Sequence, residues 1–217
     1  GPPVLRIDRL MLDAGLTLVL GPNGAGKSTL MRILAAVERP DAGSVRIGGL
    51  DPWSDEVAAR RGLAYVPEQP ELTPYATIGE IGQLVARLRG EPREAVRAAL
   101  AAAGLEGLER RSVRELSQGQ RRRAILAAAF VGTPSTLLLD EPLEAMDRAM
   151  RTTILEWIAT ARERGATVVI ASHDLEELAP IADAALGLVT GRTEGTVPLP
   201  SSSPDRGSVL ERLARGG

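Results

Sequence analysis

Cysteine is absent from this chain of 217 residues, which excludes disulfides and thiolate-held metals and leaves the compartment open. Two Trp, two Tyr and one Phe are its whole aromatic content, too little for a platform that stacks single-stranded bases. Histidine occurs once, as His173, and lysine once, as Lys27, although Lys and Arg together number 26. The formal net charge of -2 gives no electrostatic pull towards nucleic acid. No apolar run approaches the roughly 18 residues that cross a bilayer, and no secretory signal is legible. The expectation is a soluble, cytoplasmic protein with one substantial core, or one core with a small lobe. Gly1-Pro2 reads as the remnant of a cleaved tag and stays outside the fold argument.

What is present is organised around Gly21-Pro22-Asn23-Gly24-Ala25-Gly26-Lys27-Ser28-Thr29. This fits the phosphate-binding loop pattern G-x-x-x-x-G-K-[ST] from Gly21 to Ser28. The apolar run Leu16–Leu20 before it suits a buried strand, and Thr29–Leu34 can open a helix. Asn23, Gly24, Gly26, Lys27, Ser28 and Thr29 are the candidate nucleotide contacts. Glycines let successive backbone N–H groups turn towards phosphate oxygens, and the helix N-terminus adds partial positive charge. Lys27 would reach the terminal phosphates and Ser28 would ligate Mg²⁺. The plainer alternative is a glycine-rich turn with one exposed lysine.

The rest of the chain reads as alternating strands and helices. Strands are expected at 4–7, 16–20, 44–49, 62–66, 136–139, 167–171 and 185–189. Thr77 with Glu80 forms a capping box for a helix from Ile78, Glu91-Pro92 opens another to Gly104, and Ser117 caps a third through Val131. Further helices are expected over 148–164 and, broken by Pro180, over 175–181. The implied fold is α/β: a mostly parallel central sheet, small antiparallel N-terminal strands and an inserted α-helical subdomain. The expected organisation is an ATPase-like core at 3–71 and 134–200, a helical subdomain at 72–133, and a linker and tail at 201–217. The arginine clusters at 110–114 and 121–123 lack interleaved aromatics and read as a solvated helical face.

Asp140-Glu141 follows the apolar run Leu137-Leu138-Leu139. Two adjacent carboxylates at the C-terminal end of a buried strand can divide the work of phosphoryl transfer, Asp140 on the metal and Glu141 as general base for water. An acidic turn at a strand end is the alternative.

Leu116-Ser117-Gln118-Gly119-Gln120 completes the set, with Ser117 standing 90 residues after Lys27 and 24 before Glu141. On these motifs, over roughly residues 4–192, the chain resembles the nucleotide-binding subunit of the ATP-binding cassette (ABC) family. The pentapeptide is similar to that family's L-S-G-G-Q signature, with Gln118 for the first glycine. The resemblance implies a P-loop NTPase fold and ATP hydrolysis with Mg²⁺, by Lys27, Glu141 and the switch histidine His173. It implies that Ser117, Gly119 and Gln120 reach the ATP of a second subunit, and that Asp147 belongs to the loop after the catalytic glutamate. Two chains, identical or different, would close head to tail around two ATP and drive separate membrane permeases docked near residues 68–85. Tyr75–Glu80 is the stretch whose mutation should uncouple transport from hydrolysis. The place is then the cytoplasmic face of the cell membrane, and no nucleic acid is expected. The single short cassette resembles exporter-type subunits. A soluble ABC ATPase in cofactor assembly is the alternative function, and a non-hydrolysing ATP-gated module a third.

Two positions depart from the family pattern. Where the family carries a glutamine beside Mg²⁺, this chain has Glu68, with Gln69 one step later. No aromatic residue precedes Trp53, so the adenine stacking common in the family is missing, and Leu10, Leu12 or an arginine stem would take its place.

Overall fold

The computed structural model describes residues 4–70, 72–132, 134–200 and 203–215. The expectations placed on Gly1-Pro2, on the boundaries at 3, 71 and 133 and on Ser201-Ser202 lie outside the described residues. Six strands form one sheet: β1 (Gly15–Leu20), β2 (Leu63–Val66), β3 (Thr136–Asp140), β4 (Thr167–Ala171), β5 (Ala184–Gly187) and β6 (Thr196–Pro198), in the order β2-β3-β4-β1-β5-β6. Neighbours run parallel from β2 through β5, and β5 pairs with β6 antiparallel. Eight α-helices accompany them among the described residues: α1 (Lys27–Leu34), α2 (Glu56–Arg61), α3 (Ile78–Arg89), α4 (Arg93–Ala102), α5 (Gln118–Ala129), α6 (Arg148–Glu163), α7 (Leu175–Leu178) and α8 (Ser203–Arg215).

Alternation along the strands divides the core in two. Leu16, Leu18, Leu137, Leu139, Val168 and Ile170 face one side, where α3 to α6 and α8 pack. Val19, Leu138, Val169, Ala171 and Leu186 face the other, covered by Leu30, Met31 and Ala35 around α1. Strands buried on both faces are the reason for the unbroken apolar runs in the sequence. Caps set the helical lobe as expected: Thr77 accepts from the Glu80 N–H, and Ser117 accepts from the Gln120 N–H.

Of the two expected N-terminal strands, 16–20 forms as β1 but pairs in parallel, and among the described residues 4–7 forms no strand. The main chain of 4–7 is tied by Arg6 N–H to the Gly191 carbonyl at 2.7 Å. Its Leu5 and Ile7, with Leu10 and Leu12, are spent instead as side-chain cover over the α1 face of the sheet. The strand expected at 44–49 fails for a backbone reason. Gly48 and Gly49 take φ of 57° and 82°, turning the chain within the short Ile47–Leu50 bridge. Among the described residues, α2, β6, a 3-10 turn at Val113–Glu115 and a tail folded as α8, whose Leu210 is buried in the core, were not foreseen.

Candidate nucleotide site

The parallel order brings the C-terminal ends of β1, β3 and β4 side by side, the place where open α/β sheets bind ligands. β1 runs directly into the glycine-rich loop, and α1 starts at Lys27. Gly21 sits so close to the exit of β5 that a Cβ would lie 2.1 Å from the Leu188 carbonyl oxygen. Gly26, the residue before α1, has φ 101°, a backbone that only glycine takes without strain. Lys27 Nζ folds back over this loop, donating to the carbonyls of Gly21 at 2.7 Å and Pro22 at 3.2 Å. Asn23 and Gly24 are exposed at its crest, and Ser28 and Thr29 are half-buried in the first turn of the helix.

β3 delivers Asp140 to the same place. Asp140 is buried, and burial pushes its carboxyl above the usual carboxylate range. A hydrogen bond with the Ser28 hydroxyl opposes that shift, the Glu68 and Glu141 carboxylates add to it, and Lys27 opposes it. Lys27, Ser28, Glu68, Asp140 and Glu141 are therefore one electrostatic cluster. Gln69 is exposed one residue further along.

Glu141 leaves the strand in a left-handed backbone, φ 48°, an uncommon state for a non-glycine residue that persists where surroundings over-determine it. Its N–H donates to the Ala171 carbonyl at 2.8 Å. Its carboxylate accepts from the Ser172 hydroxyl at 2.8 Å and from the His173 N–H at 3.2 Å. The His173 ring nitrogen Nε2 stands 3.7 Å from the other carboxylate oxygen, with the ring itself two-thirds exposed. Asp147 caps α6 by accepting from the Met150 N–H at 2.9 Å and is ion-paired with Arg123.

Ser117, Gly119 and Gln120 do not join this cluster. They sit at the N-terminus of α5, where Ser117 N–H also donates to the Gln120 side chain at 3.0 Å. Ser117 is exposed and Gly119 and Gln120 are half-exposed, so free N–H groups at a helix N-terminus face outward.

Two residues that the sequence reasoning passed over belong to the site. Ser172 is buried behind Glu141; a hydroxyl directly before the single histidine at a strand end was the available signal. Arg122 corrects the reading of 121–123 as a solvated face. Its guanidinium donates to the carbonyls of Pro67 and Asp140 at 3.3 and 3.2 Å and to those of Glu68 and Glu141. Burial pushes this guanidinium down from its ordinary value. The phase showed it, since Arg122 shares a helical stripe with the buried Leu126 and Ala129.

The donors gathered here are hard oxygens: the Ser28 hydroxyl and the Asp140 and Glu68 carboxylates. Among the described residues no three acidic, His or Cys side chains converge tightly enough to hold a metal by themselves. That fits Mg²⁺, which keeps water and binds through one or two carboxylates plus substrate phosphates.

The model of the family described as ABC transporter matches residues 9–144. The chain belongs to the ABC transporter family. This ABC cassette is 36% identical over 202 residues to the sulfate/thiosulfate import ATP-binding protein CysA of Caulobacter vibrioides, covering 89% of this chain and 59% of that protein. It is 37% identical to the thiamine import ATP-binding protein ThiQ of Mesorhizobium japonicum, covering 82% and 72%. The chain thus spans a little over half the length of the sulfate/thiosulfate relatives it matches. The dimeric structure of a bacterial ABC transporter cassette superposes with a TM-score of 0.76 at 26% identity, covering 87% of this chain and 88% of that one. A related structure of that cassette is a post-hydrolysis state bound to ADP and Pi.

Proposed function

We propose that this cassette binds and hydrolyses ATP and supplies the energy for transport through separate membrane subunits. The observation that carries the reading is the convergence of Lys27, Ser28, Asp140 and Glu141 at three adjacent strand ends, with Ser172 and His173 aimed at Glu141. The loop from Gly21 to Thr29 would cradle the phosphates with its backbone N–H groups, and Lys27 would leave the Gly21 and Pro22 carbonyls for the terminal phosphates. Ser28 and Asp140, with Glu68 rather than Gln69 on their open side, would hold Mg²⁺. Bound there, the ion would neutralise charge developing on the phosphates. Glu141 would take the proton of the attacking water, and His173, exposed beside it, would donate to the γ-phosphate and help place that water.

The signature residues Ser117, Gly119 and Gln120 stand exposed or half-exposed at the α5 N-terminus. They support a head-to-tail pair in which each α5 N-terminus closes on the other chain's ATP. A solved bacterial ABC transporter cassette to which the chain is similar is dimeric. Among the described residues no helix is long and apolar enough to cross a membrane. The segment 68–85 lies between sheet and helical lobe, and its exposed Tyr75 and Leu84 offer a docking surface on the cytoplasmic face. The core at 3–71 and 134–200 and the lobe at 72–133 would then move as two parts. The named relatives serve import although short single cassettes resemble exporters, so length is no guide to direction here.

The test is a tagged Glu141→Gln chain expressed in its host, with ATP added and membranes solubilised in mild detergent. Turnover should fall to a small residual rate, ATP should still bind, and a multi-pass membrane protein should co-purify at fixed stoichiometry. Soluble partners alone, with the chain missing from membranes, would refute the transport reading in favour of a soluble assembly ATPase. Unchanged turnover would refute the assignment of Glu141.

A further inference from the structure

The buried side of α5 carries a cation with an unusual set of partners. The terminal nitrogens of the Arg122 guanidinium donate to four backbone carbonyls, from Pro67 and Glu68 on one loop and from Asp140 and Glu141 on the other. Its Nε is buried without a partner. Among the described residues no carboxylate is ion-paired with it, yet Glu144, Asp140, Glu68 and Glu141 all act on it through space. A planar guanidinium presents its N–H donors in a fixed fork, so one group gripping two loops fixes the distance between them. One of those loops presents Glu68 and the other presents Asp140 and the strained Glu141. The carbonyl that Arg122 holds at Glu141 belongs to the residue with φ 48°, a backbone state that costs roughly 1–3 kcal/mol and needs such support.

Charge points the same way. Glu68 places a carboxylate near Asp140, where a neutral side chain would leave the site one charge less negative. Arg122 brings a cation to the carbonyl of that same residue. We propose that Arg122 is a positioning residue of the hydrolytic site, one that fixes the Glu68 loop against Asp140–Glu141 and offsets the charge of Glu68. The inference rests on the hydrolytic reading above. It also makes α5 a rigid link, since the helix that begins at the exposed Ser117 ends its first turn on the carbonyls of the catalytic strand.

The experiment compares wild type with Arg122→Lys, Arg122→Gln, Glu68→Gln and the Arg122→Gln/Glu68→Gln pair in the full chain. Each is followed by thermal melting, steady-state ATP hydrolysis and amide hydrogen exchange without nucleotide. Lysine keeps the charge and loses the fork. It should lower kcat about tenfold or more, as a small misplacement of reacting groups does, with KM for ATP within about threefold. Exchange should quicken in residues 67–70 and 140–146 while the α5 interior stays protected. Arg122→Gln should lose activity as well, and adding Glu68→Gln should recover part of it, a non-additivity expected of coupled neighbours. A lysine variant with wild-type kcat and exchange overturns the proposal. So does strict additivity of the Gln pair, or a loss of kcat that merely tracks a fall in melting temperature. A wild type without turnover overturns the hydrolytic reading instead, and the proposal falls with it.

Discussion

Ser172→Ala isolates the smallest part of the candidate machinery. In the folded chain the Ser172 hydroxyl donates to Glu141 Oε2 at 2.8 Å and accepts from the Asp174 N–H at 3.1 Å. The only other hydrogen bond given to that carboxylate among the described residues is the longer one from the His173 N–H, at 3.2 Å. A hydrogen bond to a charged group contributes about 1.5–3 kcal/mol. If all of it holds Glu141 in its productive rotamer, losing it would cut the aligned fraction roughly ten- to hundredfold, since about 1.4 kcal/mol is tenfold. The remaining His173 N–H keeps part of the alignment, so the expectation is the lower end, a fall in kcat of about tenfold. KM for ATP should stay within about threefold, because Ser172 stands behind Glu141 and not at the phosphate loop. The assay is phosphate release by wild type, Ser172→Ala, Glu141→Gln and the double variant. In the Glu141→Gln background the serine change should cost nothing more, since the group it positions is already gone. A single variant with kcat within twofold of wild type refutes the argument. So does an equal loss in both backgrounds, which would show that Ser172 acts through stability alone.

Asp140→Asn should stabilise the chain in the absence of metal and nucleotide. Burial raises this carboxyl above 3.8, so between that value and the raised one the folded state binds more protons than the unfolded, and stability falls as pH rises through the window. At neutral pH the asparagine variant should gain on the order of 1 kcal/mol, about 2–4 °C in melting temperature for a chain of this size. The gap should close as pH falls towards 4, and a wild type that melts higher at pH 7.5 would refute the sign. The missing adenine platform predicts weak base selection. Trp53, the first aromatic in the chain, is engaged with Arg39 at 5.7 Å, so about 1–3 kcal/mol of stacking is unavailable. ATP and GTP should then compete within about tenfold, and a hundredfold preference for ATP would show that another group reads the base.

Legibility followed the physical origin of each feature. The phosphate loop was plain from its motif, and the three leucines before Asp140-Glu141 and the run over 167–171 were plain because a strand buried on both faces is written as an unbroken apolar run. The caps at Thr77 and Ser117 were plain because capping is local. The segment 4–7 misled because β-type residues were recruited as side-chain cover without a ladder to join. At 44–49 two glycines outweighed Val45 and Ile47. Arg122 was hidden by its neighbours, as composition makes Arg121, Arg122 and Arg123 alike while helical phase brings only the middle one onto the carbonyls of Asp140 and Glu141. The positive φ of Glu141 has no sequence signature, since glutamate does not favour that region. It is imposed by contacts from β4, from the His173 loop and from α5.

Those contacts exist only in one register. β3 and β4 pair with Leu139 opposite Ile170 and Asp140 opposite Ala171, and the ladder runs one step further as Glu141 N–H meets the Ala171 carbonyl. That last step puts Ser172 and His173 beside the glutamate. β1 pairs on the other edge of β4 with Val19 opposite Ala171, so the glycine loop leaves at the same height. A slip of one residue would turn Leu138 and Leu139 to opposite faces of the sheet and carry Asp140 away from Ser28. The apolar alternation that buries Leu137, Leu139, Val168 and Ile170 on one side and Leu138 and Val169 on the other therefore does more than stabilise the sheet. It aligns an adjacent pair, a buried carboxylate and a strained glutamate, with a lysine more than a hundred residues away in sequence.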